Sequence, residues 1–411
     1  MCIRDSWNTI HMHLISLVLS IEGEDGYDHD VYRGCVETMR KWCYVATGPQ
    51  GAPFEGYNKS SYATQHLLAM ARRGDDFLGT QWVKNAGRQF HLAVMLPWGT
   101  EHLYETQSGP GVLPRDFAPF KFAYPDDPVI DLIYGNTVKH LFGEEPSLQY
   151  TNIRTTYSPC VAYHLFFDDP IGTTPNGQYD FTKRAAQVVD ILSRSGEPTT
   201  YYSDYRGLLT TRTSWKPDAA FLFFEPRNVP GGHTWDCRND FVIASHGRCW
   251  NYRPSGTEGS SDQRSVILID GAGQGHQCVQ GRMLSLDDTQ RATIATGDAT
   301  WAYSQKGDPN GEPVAFTPND SRLVKSTLPW MDQPWSFLPG WREGKKGGLR
   351  HGHWSPHNPV EHAHRTVALA KNKRPYFLIR DDLKKDGASH EYKWLMQTPD
   401  DLKAVSYTHL T

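Results

Sequence analysis

The stretch Gly207-Leu208-Leu209-Thr210-Thr211-Arg212-Thr213-Ser214-Trp215, followed by Ala219-Ala220-Phe221-Leu222-Phe223-Phe224, decides the fold class. Both runs are short, rich in Leu, Thr and aromatic residues, and separated by Lys216-Pro217-Asp218, the pattern of neighbouring antiparallel strands. The same texture recurs downstream at Phe241–Trp250 with a turn at His246-Gly247-Arg248, and at Ser265–Ile269, Arg291–Thr296, Thr366–Ala370, Tyr376–Arg380 and Glu391–Met396. Upstream the period changes. Val31–Val45, Tyr62–Arg73, Phe77–Val94 and Thr182–Leu192 repeat apolar residues every three or four positions, with Gly/Pro-rich connectors such as Gly48–Gly56 and Gly109–Pro114. Helices followed by strands, rather than alternation, predict two packed domains instead of a doubly wound sheet. The expected class is α+β multidomain: residues 1–195 as stacked helical hairpins and residues 196–411 as an antiparallel β-sandwich. The Pro/Gly/polar region Gly307–Asn358 is longer than a hairpin needs, and is expected to be a functional or mobile loop.

The chain has 411 residues, 38% hydrophobic and 21% charged, which places it among globular proteins. Its 13 Trp, 20 Tyr and 17 Phe supply a large core and also flat faces on which sugar rings stack. A net charge of -4 provides no global basic field, so a nucleic-acid partner is not expected. No apolar run reaches 18 residues, the longest candidate being Leu14–Ile21, so no membrane span is expected. That stretch also lacks the basic leader and small-residue cleavage site of a signal peptide. Seven cysteines without a CxxC fit neither a disulfide scaffold nor a zinc knuckle, although one pair has room to be bridged. Met1–Ser6 and Val405–Thr411 look like translated adaptor sequence, and truncation at both ends is the expectation.

Chemistry concentrates in Gly231-Gly232-His233-Thr234-Trp235-Asp236-Cys237-Arg238-Asn239-Asp240-Phe241, a polar loop entering a β-type strand. Further on, Ser265-Val266-Ile267-Leu268-Ile269-Asp270-Gly271-Ala272-Gly273-Gln274 is an apolar strand ending in Asp-Gly and Gly-Gln. Together these segments resemble the β-domain signature of the heparinase II/III-like polysaccharide lyases, a superfamily that includes heparinoid, alginate and ulvan lyases. Upstream, Glu55-Gly56-Tyr57 with Tyr62, and Trp7-Asn8 before a helix, look like the family's helical-domain motifs. Downstream, His362–Arg365, Arg374–Phe377, Asp381-Asp382 and His390–Tyr392 look like its later strands. The resemblance implies an (α/α) toroid, here incomplete, followed by the sandwich. It also implies an anionic polysaccharide substrate and a secreted or periplasmic address.

Breaking a uronide by β-elimination requires neutralisation of the carboxylate, a base for the C5 proton and an acid for the departing O4; Tyr and His serve such transfers within hydrogen-bond reach. Carried onto matching positions, the resemblance implies Tyr62 as the proton-transfer tyrosine, His233 as the catalytic histidine and Asn8 as the carboxylate neutraliser. Tyr57 is the competing tyrosine, His11 and His13 are further candidates, and Asn8 equally fits a helix N-cap. Glu55, Tyr57, Trp235, Arg238, Asn239 and Arg264 are the expected substrate-binding residues, since Arg forks grip carboxylate and sulfate. Trp7, Tyr57, Trp98 and Trp235 are candidate cleft aromatics.

Many relatives of this kind hold a divalent metal near the loop. The corresponding positions here are Trp235, Asn251 or Tyr252, and Arg264, a poor donor set for zinc, so no metal and no other cofactor is expected; Asp236 or Asp240 would offer a weaker site. His351, His353, His357, His362 and His364 form a second cluster, read either as metal-binding or as a rim of the substrate cleft. Asp126-Asp127 and Asp168-Asp169 precede Pro and read as turn residues. The alternatives to a lyase are a two-carboxylate glycoside hydrolase on the helical domain and a non-catalytic carbohydrate-binding protein.

Overall fold

A computed structural model describes residues 14–15, 17–47, 49–52, 64–97, 119–120, 123–130, 132–133, 190–227, 237–251, 260–275, 281–313 and 353–399. Its helices there include α1 (His29–Thr47), α2 (Thr64–Arg72), α3 (Gln81–Gly87), α4 (Gln89–Val94) and α5 (Thr300–Ser304). The strands begin with β1 (Thr200–Ser203), β2 (Leu208–Arg212), β3 (Phe221–Glu225), β4 (Asp240–Ser245), β5 (Arg248–Cys249) and β6 (Ile267–Ile269). They continue with β7 (Arg282–Asp288), β8 (Ala292–Asp298), β9 (Gln305–Pro313), β10 (His353–Pro356), β11 (His362–Ala370), β12 (Tyr376–Lys384) and β13 (Tyr392–Trp394).

β1 to β5 make one antiparallel sheet in chain order, and a second sheet runs β12-β11-β8-β7. β13 pairs with β6 and β10 with β9. Short connections dictate much of this order. Ser245 pairs with Arg248 across His246-Gly247, whose φ values of 54° and 74° supply the primed turn that matches strand twist.

Every residue of β3 is buried because both of its faces are covered. Phe221 and Phe223 join a core with Leu208, Val242 and helical residues such as Val83, Phe90 and Val94. Leu222 and Phe224 point the other way, into a core with Leu209, Phe241, Ala295, Val367 and Leu369. The apolar run that marked β3 in the sequence is thus explained by a sheet sandwiched between helices and a second sheet, where strict alternation is not required. Each fully buried Phe contributes about 1.5–3 kcal/mol. β11 alternates instead, burying Ala363, Arg365, Val367 and Leu369 and leaving the intervening side chains half-buried on the outer face.

Arg212 welds the helices to the first sheet. Its Nη2 donates to the carbonyls of Leu92, Ala93 and Met95 at the end of α4, and its guanidinium lies 4.2 Å from the Trp215 ring centre and 4.9 Å from that of Phe221. Burial pushes its pKa down to about 9, so it remains a cation at neutral pH. Tyr201 adds a bond to the Gln50 carbonyl at 2.8 Å.

Two readings of the sequence change. Phe77–Val94 is not one helix: it begins as a turn and then breaks between α3 and α4 at Arg88, whose φ is -125°. Gly87 sits so close to Phe120 that a Cβ there would lie 2.4 Å from the ring, so packing rather than propensity sets the break. The long region Gly307–Asn358 contributes strand at both ends, since Gln305–Lys306 and Gly307 of β9 pair with Trp354–Pro356 of β10. Of Thr182–Leu192, only residues from 190 onward lie among those described.

Candidate functional site

The predicted catalytic loop leaves the first sheet at Glu225 and returns at Asp240, which are cross-strand partners. Both feet of the loop are fixed in an unusual way. Arg227, just past the end of β3, has φ 62°, and Asn239, just before β4, has φ 64°. A left-handed conformation at a residue other than Gly costs on the order of 1 kcal/mol or more and persists only where the surroundings enforce it. Here they do. Arg227 donates its N–H to the Gly207 carbonyl at 3.0 Å and accepts from the Gly281 N–H at 2.9 Å. Asn239 donates its N–H to the Glu225 carbonyl at 3.0 Å, and its side-chain amide donates to the Gly297 carbonyl at 3.1 Å. Gly297 is obligatory there, because a Cβ would lie 2.1 Å from Asn239 Oδ1.

Beneath the feet lies an interior dominated by guanidinium groups. Glu225 is wholly buried and meets Arg206 at 2.7 Å and Arg227 at 3.7 Å. Arg365 grips Asp381 with two bonds, Nε to Oδ1 at 2.7 Å and Nη2 to Oδ2 at 3.1 Å, and its Nη1 donates to the carbonyls of Asn239 and Ser265. Asp240 accepts from the N–H groups of Phe241 and Ser265. Arg238 and Arg264 are also buried. Arg206, Arg227, Arg238, Arg264 and Arg365 thus gather with Glu225, Asp240 and Asp381 around the two feet.

Arg238, Asn239 and Arg264, expected to touch substrate, are placed inside the protein at the return foot. Arg238 and Asn239 line a small cavity between the sheets with Tyr303, His364 and Asp381, a space suited to a water rather than a sugar ring. Tyr303 is no proton-transfer candidate: burial pushes its phenol up to about 12, and its hydroxyl donates to the Ile267 carbonyl at 2.6 Å. Asn8, Glu55, Tyr57, Tyr62, His233 and Trp235 lie outside the described residues, as do Trp7, His11, His13 and Trp98.

Of the expected metal positions, Asn251, Arg264 and Asp240 lie among the described residues. Asn251 is fully buried with its amide committed, accepting from the Ile243 N–H at 2.7 Å and donating to the Phe241 carbonyl and the Ser265 hydroxyl. Arg264 adds a positive charge nearby, Tyr252 is outside the described residues, and Asp240 Oδ1 is occupied by two backbone donors. No group of three or more His, Cys, Asp or Glu side chains placed to hold a metal occurs among the described residues. In the histidine cluster each described ring has its own contact. His357 meets the Gly273 carbonyl at 3.1 Å, His362 meets Asp382 at 3.0 Å, and His364 stands 3.8 Å from Asp298. Cys35, Cys237 and Cys249 are not joined in disulfides.

Asp127, read as a turn residue, caps a helical turn through the N–H groups of Val129 and Ile130 and pairs with Arg88 at 3.0 Å. The buried charges Arg206, Glu225 and Arg227 escaped the sequence reading. Their signal was a glutamate closing the otherwise apolar run Phe221–Phe224, a placement that demands a buried partner.

No helix among the described residues is long and apolar enough to cross a membrane. No protein-family model and no curated protein matches the chain. Solved structures do. A heparinase III, the BT4657 gene product, superposes with a TM-score of 0.57 at 9% identity over 96% of this chain and 48% of its own. Heparan sulfate lyase HepC from Pedobacter heparinus, in a mutant form, gives a TM-score of 0.51 at 11% identity over 91% of this chain and 44% of its own. The chain thus spans about half the length of the structures it matches, and it has the fold of heparinase III, in agreement with the superfamily its motifs resemble.

Proposed function

We propose that the chain is the lyase half of a heparinase-type enzyme, cleaving a uronic-acid-containing polysaccharide by β-elimination in a cleft between an (α/α) toroid and a β-sandwich. The observation that supports this reading best is the loop of residues 226–239. It carries the motif in sequence, and its described feet, Arg227 and Asn239, are held left-handed by buried bonds among buried guanidinium groups. Backbone strain that the surroundings enforce collects where geometry serves chemistry.

In this reading Asn8 neutralises the uronate carboxylate, which acidifies the C5 proton. One of His233 and Tyr62 takes that proton, the C4–O4 bond breaks as the C4–C5 double bond forms, and the other delivers a proton to the departing O4. Glu55, Tyr57 and Trp235 contact the sugar, while Arg238, Asn239 and Arg264 act from the return foot of the loop by fixing its backbone. No metal is needed for any of these transfers. A secreted or periplasmic location fits a polymeric substrate.

The decisive experiment offers heparan sulfate, chondroitin sulfate, hyaluronan, alginate and ulvan and follows the ultraviolet absorbance of the unsaturated uronate. His233→Ala and Tyr62→Phe are each expected to lower kcat by about 10²–10⁴-fold. Products lacking the double bond would establish a hydrolase, and binding without turnover on every polymer would establish a carbohydrate-binding protein.

A further inference from the structure

The return foot of the loop contains a clamp that the chemistry above does not use. The ladder between β3 and β4 ends at Asp240, and the left-handed Asn239 turns the chain, so that ladder does not extend to Arg238. The side chain of Gln274 takes that place. Its Oε1 accepts from the Arg238 N–H at 2.7 Å, and its Nε2 donates to the Arg238 carbonyl at 2.7 Å. One amide thus satisfies both polar groups of a single backbone residue, as a neighbouring strand would. The requirement for a donor at one end and an acceptor at the other also fixes which way the amide points.

Gln274 is itself immobilised. It is buried, and its N–H donates to the Ser261 hydroxyl at 2.8 Å. The flanking glycines leave no slack: a Cβ on Gly273 would lie 2.3 Å from that of Ser261, and one on Gly275 would lie 1.8 Å from the Gln305 carbonyl oxygen. The clamp therefore refers the backbone at Arg238 to a rigid part of the protein. In sequence Arg238 lies five residues after His233.

We propose that Gln274 is a positioning residue, holding through Arg238 the loop that bears His233; this rests on the lyase reading only for the effect on turnover. Its amide acts through the Arg238 backbone and does not itself touch substrate. Because reacting groups must meet within a few tenths of an ångström, releasing the clamp acts on kcat rather than on KM.

The test compares Gln274→Glu with Asn358→Ala in the full chain. Asn358 donates to the Ile269 carbonyl at 3.0 Å and is buried, so its removal loosens the same part of the sheet while leaving both Gln274–Arg238 bonds in place. At neutral pH the glutamate keeps the acceptor and loses the donor toward the Arg238 carbonyl. The expected result is a fall in kcat on the order of 10- to 100-fold with KM changed less than about twofold. The loss is expected to shrink as pH is lowered and the glutamic acid regains a donor proton. Asn358→Ala is expected to lower Tm and leave kcat alone. A second readout is the imidazole resonance of His233 in an NMR pH titration, whose midpoint and shift are expected to move in Gln274→Glu and not in Asn358→Ala. That readout holds even where no polymer is cleaved, so an inactive wild-type protein counts against the lyase reading while the titration still decides the clamp. Gln274→Met, which removes donor and acceptor together, serves if the charged variant does not fold. Unchanged kcat and an unmoved His233 titration, with only Tm reduced, would overturn the proposal.

Discussion

Two seams hold this protein together, and each is built on a buried arginine stacked against an aromatic ring. At the seam between helices and first sheet, Arg212 faces Trp215 and Phe221 and bonds only to the carbonyls of Leu92, Ala93 and Met95. At the seam between the two sheets, Arg365 lies 5.1 Å from the Phe241 ring centre and bonds to the Asp381 carboxylate as well as to two carbonyls. The first arrangement caps a helix end, where the partial negative charge of unsatisfied carbonyls suits a cation that needs no carboxylate. The second locks a full ion pair beside the return foot of the loop. One residue type thus serves as a fastening in one place and as part of a charged platform in the other. The difference lies in whether the partner carries its own charge.

The largest expected effect follows from that difference. Arg365→Met strands the Asp381 carboxylate in a largely buried position and is expected to cost about 3–5 kcal/mol in a denaturant titration. Adding Asp381→Leu to it should recover much of the loss, since removing both members of a buried pair is often close to neutral. If the double variant is no more stable than the single one, the pair is not what matters at this seam. Arg212→Met comes next, at about 2 kcal/mol, because it leaves helix-end carbonyls without donors. No second substitution of a charge should rescue it, and a rescuing carboxylate variant would erase the contrast between the seams.

Smallest is a titration at the surface. His390 has Nε2 on Asp386 at 2.7 Å and Nδ1 on Asp270 at 2.8 Å, a geometry that needs both ring protons. The carboxylates of Asp386 and Asp270 raise its pKa above the ordinary 6.5. Lys385, the Glu391 N–H and His390 hold Asp270 down to about 2. Stability from His390 is present below about pH 6.5 and is lost as pH rises through its raised value; stability from Asp270 is present above about pH 4 and is lost as pH falls toward 2. The Tm difference between wild type and His390→Gln should therefore be visible near pH 5 and vanish in alkaline buffer. A difference that persists at high pH would mean that the imidazolium is not the stabilising form. Arg212, whose lowered value of about 9 still lies above that range, should show no such dependence between pH 5 and 8, and this separates the exposed cation from the helix seam.

Much of the β half was legible because its strands advertise themselves. β2, β3, β4, β8, β11 and β12 fall within or within a few residues of the stretches read as strands. β7 was missed because an edge strand with the sequence Arg282-Met283-Leu284-Ser285-Leu286-Asp287-Asp288 is half exposed and shows no buried alternation. β9 was missed because Gly307, Asp308, Pro309 and Gly311 look like loop residues, whatever they pair with. The site was legible as a motif and not as a geometry. Arg238, Asn239 and Arg264 were assigned to substrate because a guanidinium or amide suits a sugar carboxylate. The same donors suit backbone carbonyls, and residue type alone does not say which they meet. The clamp of Gln274 on Arg238 joins residues 36 apart, a distance that local pattern cannot bridge.

β3 carries a consequence for the order in which the protein opens. Its backbone bonds on both sides to β2 and β4, and its side chains are shared between two cores. An amide in such a strand cannot meet solvent deuterium through local fraying, so β3 should be the last segment to exchange and should do so only with global unfolding. β7 and β12, at the outer edges, should label early. Glu225, from which the loop departs, is the final residue of that slowest strand, so one foot of the loop inherits the longest-lived part of the native state.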